Sequence, residues 1–311
     1  MHKKNIILFG YCVFCRRQLL GRENFLLLPV LIVLILVSQL FIGCSTLRLT
    51  PVASPATGVH HQGKFVWYDL LTDDVMLAKN FYGELFDWSF KKRGSYTVVL
   101  NNGQSIGGML EIQSKDGEDS TARWIPLLSV ANVDKAVALV QKAGGTIHEG
   151  PVDIPKRGRS ALISDPQGAP LSLLYAFDGD PPDREPPMGS WLWIELWSEN
   201  PEASLGFYQE LCGYSSVKDG ENYWILERDE QRRGGIRSMS DEERLKVCCW
   251  IPVVRVPDTV TISDHAEKLG GRVLVPPSDT NDGGSVALIE DPRGALLIVQ
   301  CCSEISHSTG E

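Results

Sequence analysis

Trp67 stands two residues before Asp69, and Trp193 stands two residues before Glu195. Residues two apart on a strand share a face, so each pair offers an indole surface beside a carboxylate. The indole N–H only donates, and its flat ring suits stacking. The carboxylate accepts hydrogen bonds or holds a cation. With Trp124 and Trp250 they would make an aromatic floor with one carboxylate per site, suited to an apolar ligand carrying a donor or positive charge. The plainer alternative is internal pairing of Asp69 and Glu195 with an arginine such as Arg159 or Arg272, with the tryptophans as core. Two carboxylates in separate sites cannot converge on one bond as a general acid and base. No Gly-x-Ser-x-Gly, phosphate loop or Cys–His pairing accompanies them, and Gly107-Gly108 and Gly234-Gly235 read as strand bends.

The elements that must position these residues occur twice. Phe81-Tyr82 returns 126 residues on as Phe207-Tyr208, and the same offset carries Trp124-Ile125-Pro126 onto Trp250-Ile251-Pro252. Gly144-Gly145 returns as Gly270-Gly271, and Asp165-Pro166-Gln167-Gly168-Ala169 as Asp291-Pro292-Arg293-Gly294-Ala295. A constant offset across separated landmarks marks a tandem duplication. The Pro- and charge-rich stretch 177–189 links copies at 64–176 and 190–302.

Within copy one, Phe65 to Leu71 predicts a strand, with Phe65, Trp67, Asp69 and Leu71 on one face and Val66, Tyr68 and Leu70 on the other. Asp74 then caps a helix whose Ala78, Phe81, Tyr82 and Leu85 share a face. In copy two the cap is Asn200, with Pro201 at the first helical position. Strands are predicted around 96–100, 105–112 and 124–130. A second helix bearing Val133, Ala136, Val137 and Val140 ends at Gly144-Gly145, and strands at 160–164 and 171–175 flank an Asp-Pro-x-Gly turn. Each copy therefore runs strand–helix–strands twice, an α+β chain of about four βαβββ units.

The ordered set "DDVMLAKNFYGELF", "SVANVDKAVALVQKAGG" and "DPQGAPLSLLY", echoed by "ENPEASLGFYQELCGY", "HAEKLGG" and "DPRGALLIVQ", resembles the vicinal oxygen chelate superfamily of glyoxalase I, bleomycin-resistance proteins and extradiol dioxygenases. The resemblance implies that two βαβββ units curl into a cup in each copy. Metal-dependent members hold a divalent cation with a His or Gln on the first strand, a His at the start of the fifth and a Glu on the last. Carried onto this chain, the first position is Trp67 or Trp193. The second falls at or beside Trp124-Ile125 or Trp250-Ile251, and the third is Ser172 or Ile298. None of these is a good ligand, so the expectation is no metal and no cofactor, as in the metal-free glyoxalase-like branch. His148 and His265 lie elsewhere and read as surface residues.

Lys3, Lys4, Arg16, Arg17 and Arg22 precede an apolar run from Phe25 to Ile42, and "LFIGC" closes it at Cys44. The layout is that of an export signal, and the ending resembles a lipoprotein lipobox, with Cys44 lipidated and the folded part at the outer membrane, on its periplasmic side. An uncleaved membrane anchor is the alternative. Residues 44–63 read as a tether with no core pattern, and His60 and His61 as a solvated pair. From residue 44 on, the net charge is near −13, against −9 for the whole chain. So acidic a surface repels phosphate backbones and excludes nucleic acid as a partner. Cys12 and Cys15 fall inside the signal, whereas Cys212, Cys248, Cys249, Cys301 and Cys302 all lie in copy two. Their odd number leaves a free thiol or an intermolecular bridge, and they read first as small core hydrophobes.

Three functions follow: a membrane-tethered binder of a small organic molecule, a metal-dependent lyase, isomerase or dioxygenase, or an interaction module whose cups are filled by their own tryptophans. Oligomeric state is open.

Overall fold

A computed structural model describes residues 49–112, 122–239, 249–280 and 283–301. Copy one contains β1 (Phe65–Thr72), α1 (Val75–Phe86), β2 (Ser89–Arg93), β3 (Tyr96–Asn101) and β4 (Gln104–Glu111). The same order repeats as β5 (Arg123–Ser129), α2 (Val133–Lys142), β6 (Thr146–Ile154), β7 (Gly158–Ser164) and β8 (Pro170–Ala176). Copy two reproduces it with β9 (Trp191–Ser198), α3 (Pro201–Cys212), β10 (Ser215–Lys218), β11 (Tyr223–Arg228) and β12 (Gln231–Ser238), then β13 (Cys249–Arg255), α4 (Thr259–Lys268), β14 (Arg272–Asp279), β15 (Ser285–Glu290) and β16 (Leu296–Cys301). Each copy closes one eight-stranded sheet, ordered β2-β3-β4-β1-β5-β8-β7-β6 and β10-β11-β12-β9-β13-β16-β15-β14. The four βαβββ units are thus confirmed, with β2 and β6 added to the predicted strands; β2 is mostly exposed and carries no apolar alternation.

The helix starts follow local chemistry. Asp74 accepts from Leu77 N at 2.8 Å and Asn200 from Ala203 N at 3.1 Å, satisfying N–H groups that have no intrahelical partner. The helix-bearing faces of both sheets merge into one shared core that includes Phe81, Tyr82, Trp124, Tyr208 and Trp250. The seam is reciprocal. Trp124 Nε1 donates to Tyr82 Oη, which donates to Asp291 Oδ2 of the opposite copy, at 3.0 Å each. Trp250 Nε1 donates to Tyr208 Oη at 2.7 Å, and that hydroxyl donates to Asp165 Oδ2 at 2.9 Å. Each Asp-Pro-x-Gly turn thereby anchors the other copy's first helix.

These contacts correct two expectations. Trp124 and Trp250 do not line the cups: they lie in the shared core, 4% and 3% exposed. The neighbouring Ile125 and Ile251 instead pair with Asp69 and Glu195 across the sheet, so the second family position falls on isoleucine. A register shift between Phe65 and Trp67 also breaks the alternation assumed for β1. Phe65 joins Tyr68 and Leu70 in the shared core, while Val66 turns to the cup with Trp67. One extra residue moves a side chain to the other face.

The stretch expected to be a tether is part of the first domain from Leu49 on. Leu49, Val52 and Ala53 are buried, and Val52 clusters with Val66, Trp67, Leu127, Leu174 and Ala176. Leu49 packs with Tyr96 and Val98. His60 is ordered, stacking on Tyr175 at 4.4 Å and bonding Ala176 O at 2.8 Å, whereas His148 is exposed beside Ser164. Among the described residues no helix is long and apolar enough to cross a membrane. The expected signal at residues 1–43, the lipidation site Cys44, and Cys248 and Cys302 lie outside the described residues. Cys212 is buried and Cys249 and Cys301 are half-buried; Cys212 and Cys249 are free thiols.

Candidate functional site

The two cups begin from related residues and end differently. In the first, Trp67 is 2% exposed and donates its Nε1 to Asp69 Oδ1 at 2.9 Å. Tyr96 Oη donates to the same oxygen at 2.6 Å. Asp69 is therefore satisfied internally, but not by arginine: Arg159 pairs with Asp134 and Asp153, and Arg272 with Glu290. The arginine that enters this cup is Arg157, from the turn between β6 and β7. Only 1% exposed, it lies 4.6 Å above the Trp67 ring and donates Nη2 to Tyr96 Oη at 3.1 Å. Removal from water pushes the Tyr96 hydroxyl well above its ordinary pKa, with the Asp69 charge adding to the rise, so it acts as a fixed donor. With Val52 against Trp67 from the N-terminal side, the first cup is packed with the chain's own groups.

The second cup keeps the motif and lacks the plug. Trp193 Nε1 donates to Tyr223 Oη at 2.7 Å, and Tyr223 donates to Glu195 Oε1 at 3.1 Å. Trp197, two residues beyond Glu195 on the same face, donates to Oε2 at 3.2 Å. Arg237 stacks 4.5 Å from the Trp197 ring. The residue 126 positions beyond Arg157 is Gly283, which has no side chain to fold back over this motif. A cavity of about 280 Å³ remains, with Glu195, Tyr223 and Arg237 at its polar end and Val275, Val286, Leu288 and Ile298 among its apolar walls. That is near the lower limit of ordinary ligand pockets. Desolvation raises the Glu195 carboxyl above the usual range, against the lowering effect of the Trp197 and Tyr223 hydrogen bonds. Its two oxygens each accept one of these bonds, Oε2 from Trp197 and Oε1 from Tyr223.

The glycine pairs have a different job from the bends expected of them. The ladder does slip just before each pair, at 99–100 opposite β4 and at 226–227 opposite β12. But a Cβ on Gly108 would land on the Tyr96 hydroxyl, and one on Gly235 on that of Tyr223. The glycines create the seat in which each tyrosine reaches its carboxylate.

The three family metal positions are filled by Trp67, Ile125 and Ser172 in one cup and by Trp193, Ile251 and Ile298 in the other. Indole and alkyl side chains supply no lone pair, and the neutral Ser172 hydroxyl is a single weak ligand, so neither donor set fits a divalent cation. Among the described residues no group of three His, Cys, Asp or Glu side chains converges. Of the six residues expected to line pockets, Glu195 lines the second cavity and Trp193 supports it. Trp67 and Asp69 are buried in the first cup, Trp67 and Trp193 also border a cleft between the domains, and Trp124 and Trp250 lie in the shared core. Sequence reasoning missed Tyr96, Arg157, Trp197, Tyr223 and Arg237. Trp197 was accessible from the Trp-x-Glu-x-Trp alternation; the others come from distant strands and turns.

Comparison with known proteins agrees with this architecture. Residues 64–173 match the family model described as Glyoxalase/Bleomycin resistance protein/Dioxygenase superfamily. The chain is similar to "Putative glyoxylase CFP32" of Mycobacterium tuberculosis (strain CDC 1551 / Oshkosh), at 28% identity over 79% of this chain and 97% of the relative. It is also similar to the anthracycline biosynthesis protein DnrV of Streptomyces peucetius, at 25% identity over 75% of this chain and 91% of that protein. Among solved structures, the Mn(II)-bound glyoxalase from Novosphingobium aromaticivorans shares the fold with a TM-score of 0.56 at 13% identity, covering 78% of this chain and 83% of that one.

Proposed function

We propose, on the match of residues 64–173 to the glyoxalase/bleomycin resistance protein/dioxygenase superfamily, that the chain is a member of it and a non-catalytic binder holding a compact organic molecule in its second cup. The observation that carries this reading is the difference between the cups: one is plugged by Arg157 and Val52, the other leaves about 280 Å³ behind Glu195 and Tyr223. The ligand class follows from the walls. It is mainly apolar, with one hydrogen-bonding group facing the Glu195 carboxyl and the Tyr223 hydroxyl. Catalysis by the family's metal is not invoked, because the residues at its positions do not supply ligands.

The test is a thermal-shift screen of small organic molecules against the full-length chain. Ligand at a hundredfold excess over Kd stabilises by about 2.7 kcal/mol, a rise in Tm of roughly 4–5 °C for a protein of this size. Ser278 is exposed at the mouth of the cup, so Ser278→Trp should leave the basal Tm nearly unchanged and remove the ligand-induced rise. Failure of any compound to stabilise the wild type, or equal stabilisation of S278W, would end the proposal.

The same reading places the protein on the cell envelope, tethered by lipid on Cys44, supported by the basic and apolar segments that precede Gly43-Cys44. In bacterial cells fed a labelled fatty acid, the wild type is expected to take up label and Cys44→Ser to lose it. Equal labelling of the two would refute the tether.

A further inference from the structure

We propose that the cleft between the two domains is a second ligand site, selective for a small aromatic carboxylate. The cleft encloses about 870 Å³, well inside the range of small-molecule pockets. Its walls occur in pairs: the segments leading into β1 and β9, the first residues of those strands, and the β3–β4 and β11–β12 hairpins. It therefore lies where the duplicated domains face each other, bordered on one side by Val52, Val66 and Trp67 of the first cup and sharing no lining residue with the second cup's cavity.

The copies diverge in this cleft, and the divergence adds cations. Ser105 and Ile106 of the first hairpin correspond to Arg232 and Arg233 of the second, while Lys64 corresponds to Ser190. With Arg184 of the linker, four cations line the cleft against Asp183 and Glu185. This occurs in a chain whose net charge is −9. Glu185 is drawn to Arg255 at 2.8 Å. Asp183 is shared by Lys64 at 2.7 Å and Arg233 at 2.8 Å, which hold its carboxyl down to about 2 despite desolvation. One carboxylate thus serves two cations, with Asp180 as a more distant counter-charge to Lys64.

The cations are short of water as well as of anions. Desolvation lowers the pKa of Lys64 even with Asp183 in contact, and an added anion would favour its charged form. Arg233 is 9% exposed and its Nε has no acceptor. At the rim, Arg184 has no carboxylate partner among the described residues and Arg232 reaches Glu227 only at 3.8 Å.

The aromatic half of the site is Trp191 and Trp193, both half-exposed. Their N–H groups are already bonded, to Ile106 O and Tyr223 Oη at 2.7 Å each. Trp191 also packs on Tyr68, Trp88 and Trp124, so each indole offers a ligand only the hydrocarbon surface left facing the cleft, which a flat ring covers well. An aromatic ring on this surface would bring its carboxylate to the arginines and Lys64, where charge-assisted hydrogen bonds are strong.

Calorimetric titration of the full-length chain in detergent, corrected for detergent alone, tests this with 2-naphthoate and its uncharged analogue 2-naphthylmethanol. One naphthoate per chain is expected, with the alcohol at least tenfold weaker. The rim variant Arg184→Gln/Arg232→Gln, at exposed positions outside the core, should weaken naphthoate at least tenfold and leave the alcohol unchanged. Ser105→Trp should block naphthoate, and Ser278→Trp in the second cup should not. The proposal is overturned by absence of naphthoate binding at millimolar concentration, by equal affinity for the alcohol, or by loss of naphthoate binding in S278W with retention in S105W.

Discussion

Trp67→Ala is expected to cost the fold about 3–5 kcal/mol, the range for deleting a fully buried large aromatic side chain, and Trp193→Ala less than half of that. The two residues occupy equivalent positions in the duplication, so the contrast isolates tertiary environment from residue type. Trp67 is 2% exposed, closes the Asp69 hydrogen-bond set and forms the surface on which the Arg157 guanidinium rests. Its removal leaves a cavity and takes one donor from a buried carboxylate, which adds to the packing loss. Trp193 is half-buried, its ring borders the interdomain cleft, and its one polar contact is with Tyr223. Trp193→Ala should therefore act mainly on binding, by releasing Tyr223 in the second cup. Urea unfolding of both variants reads the difference directly. Equal losses of stability would mean that the cups are equivalently packed, contrary to the asymmetry on which the binding site rests.

Gly108→Ala should be comparably damaging, roughly 3 kcal/mol or more from overpacking together with a broken buried network. The added methyl falls on the Tyr96 hydroxyl, and Tyr96 has nowhere to move. It is fully buried and is held by Trp67 at 3.0 Å, Asp69 at 2.6 Å and Arg157 at 3.1 Å. Gly235→Ala makes the same collision with Tyr223, but that ring lines a cavity of about 280 Å³ and can swing into it. Its expected cost is about 1 kcal/mol, accompanied by loss of the ligand-induced rise in Tm, because the displaced ring fills the site. A G108A protein as stable as wild type would show that Tyr96 is not fixed by its partners. A G235A protein that still binds ligand would remove Tyr223 from the binding surface.

The asymmetry also explains how one duplicated sequence yields two unlike cups. Both copies carry Trp-x-carboxylate on the first strand, and both place a tyrosine over a glycine to reach that carboxylate. What differs is contributed from outside the motif. Arg157 stands where the second copy has Gly283, and Leu49 and Val52 arrive from the segment that precedes β1. A buried arginine with Nε and Nη1 unpaired is costly. Its stacking on Trp67 and the bond to Tyr96 are the compensation available to it.

The sequence by itself determined the architecture. The 126-residue offset required two domains of like topology, and Asp74 and Asn200 placed their helix starts because an N-cap acts within three residues. It also determined that the family's metal positions lack ligands, since that depends on residue identity alone. Only the tertiary structure decided which cup is open and which tryptophans reach it. A shift of one residue separates Trp124 in the shared core from Ile125 beside Asp69, and a register shift at Phe65–Trp67 reverses the face of Val66. Period-two reasoning cannot see such slips. The plug depends on Arg157 meeting Tyr96 across 61 residues of sequence, a contact fixed by strand pairing and burial with no local signature.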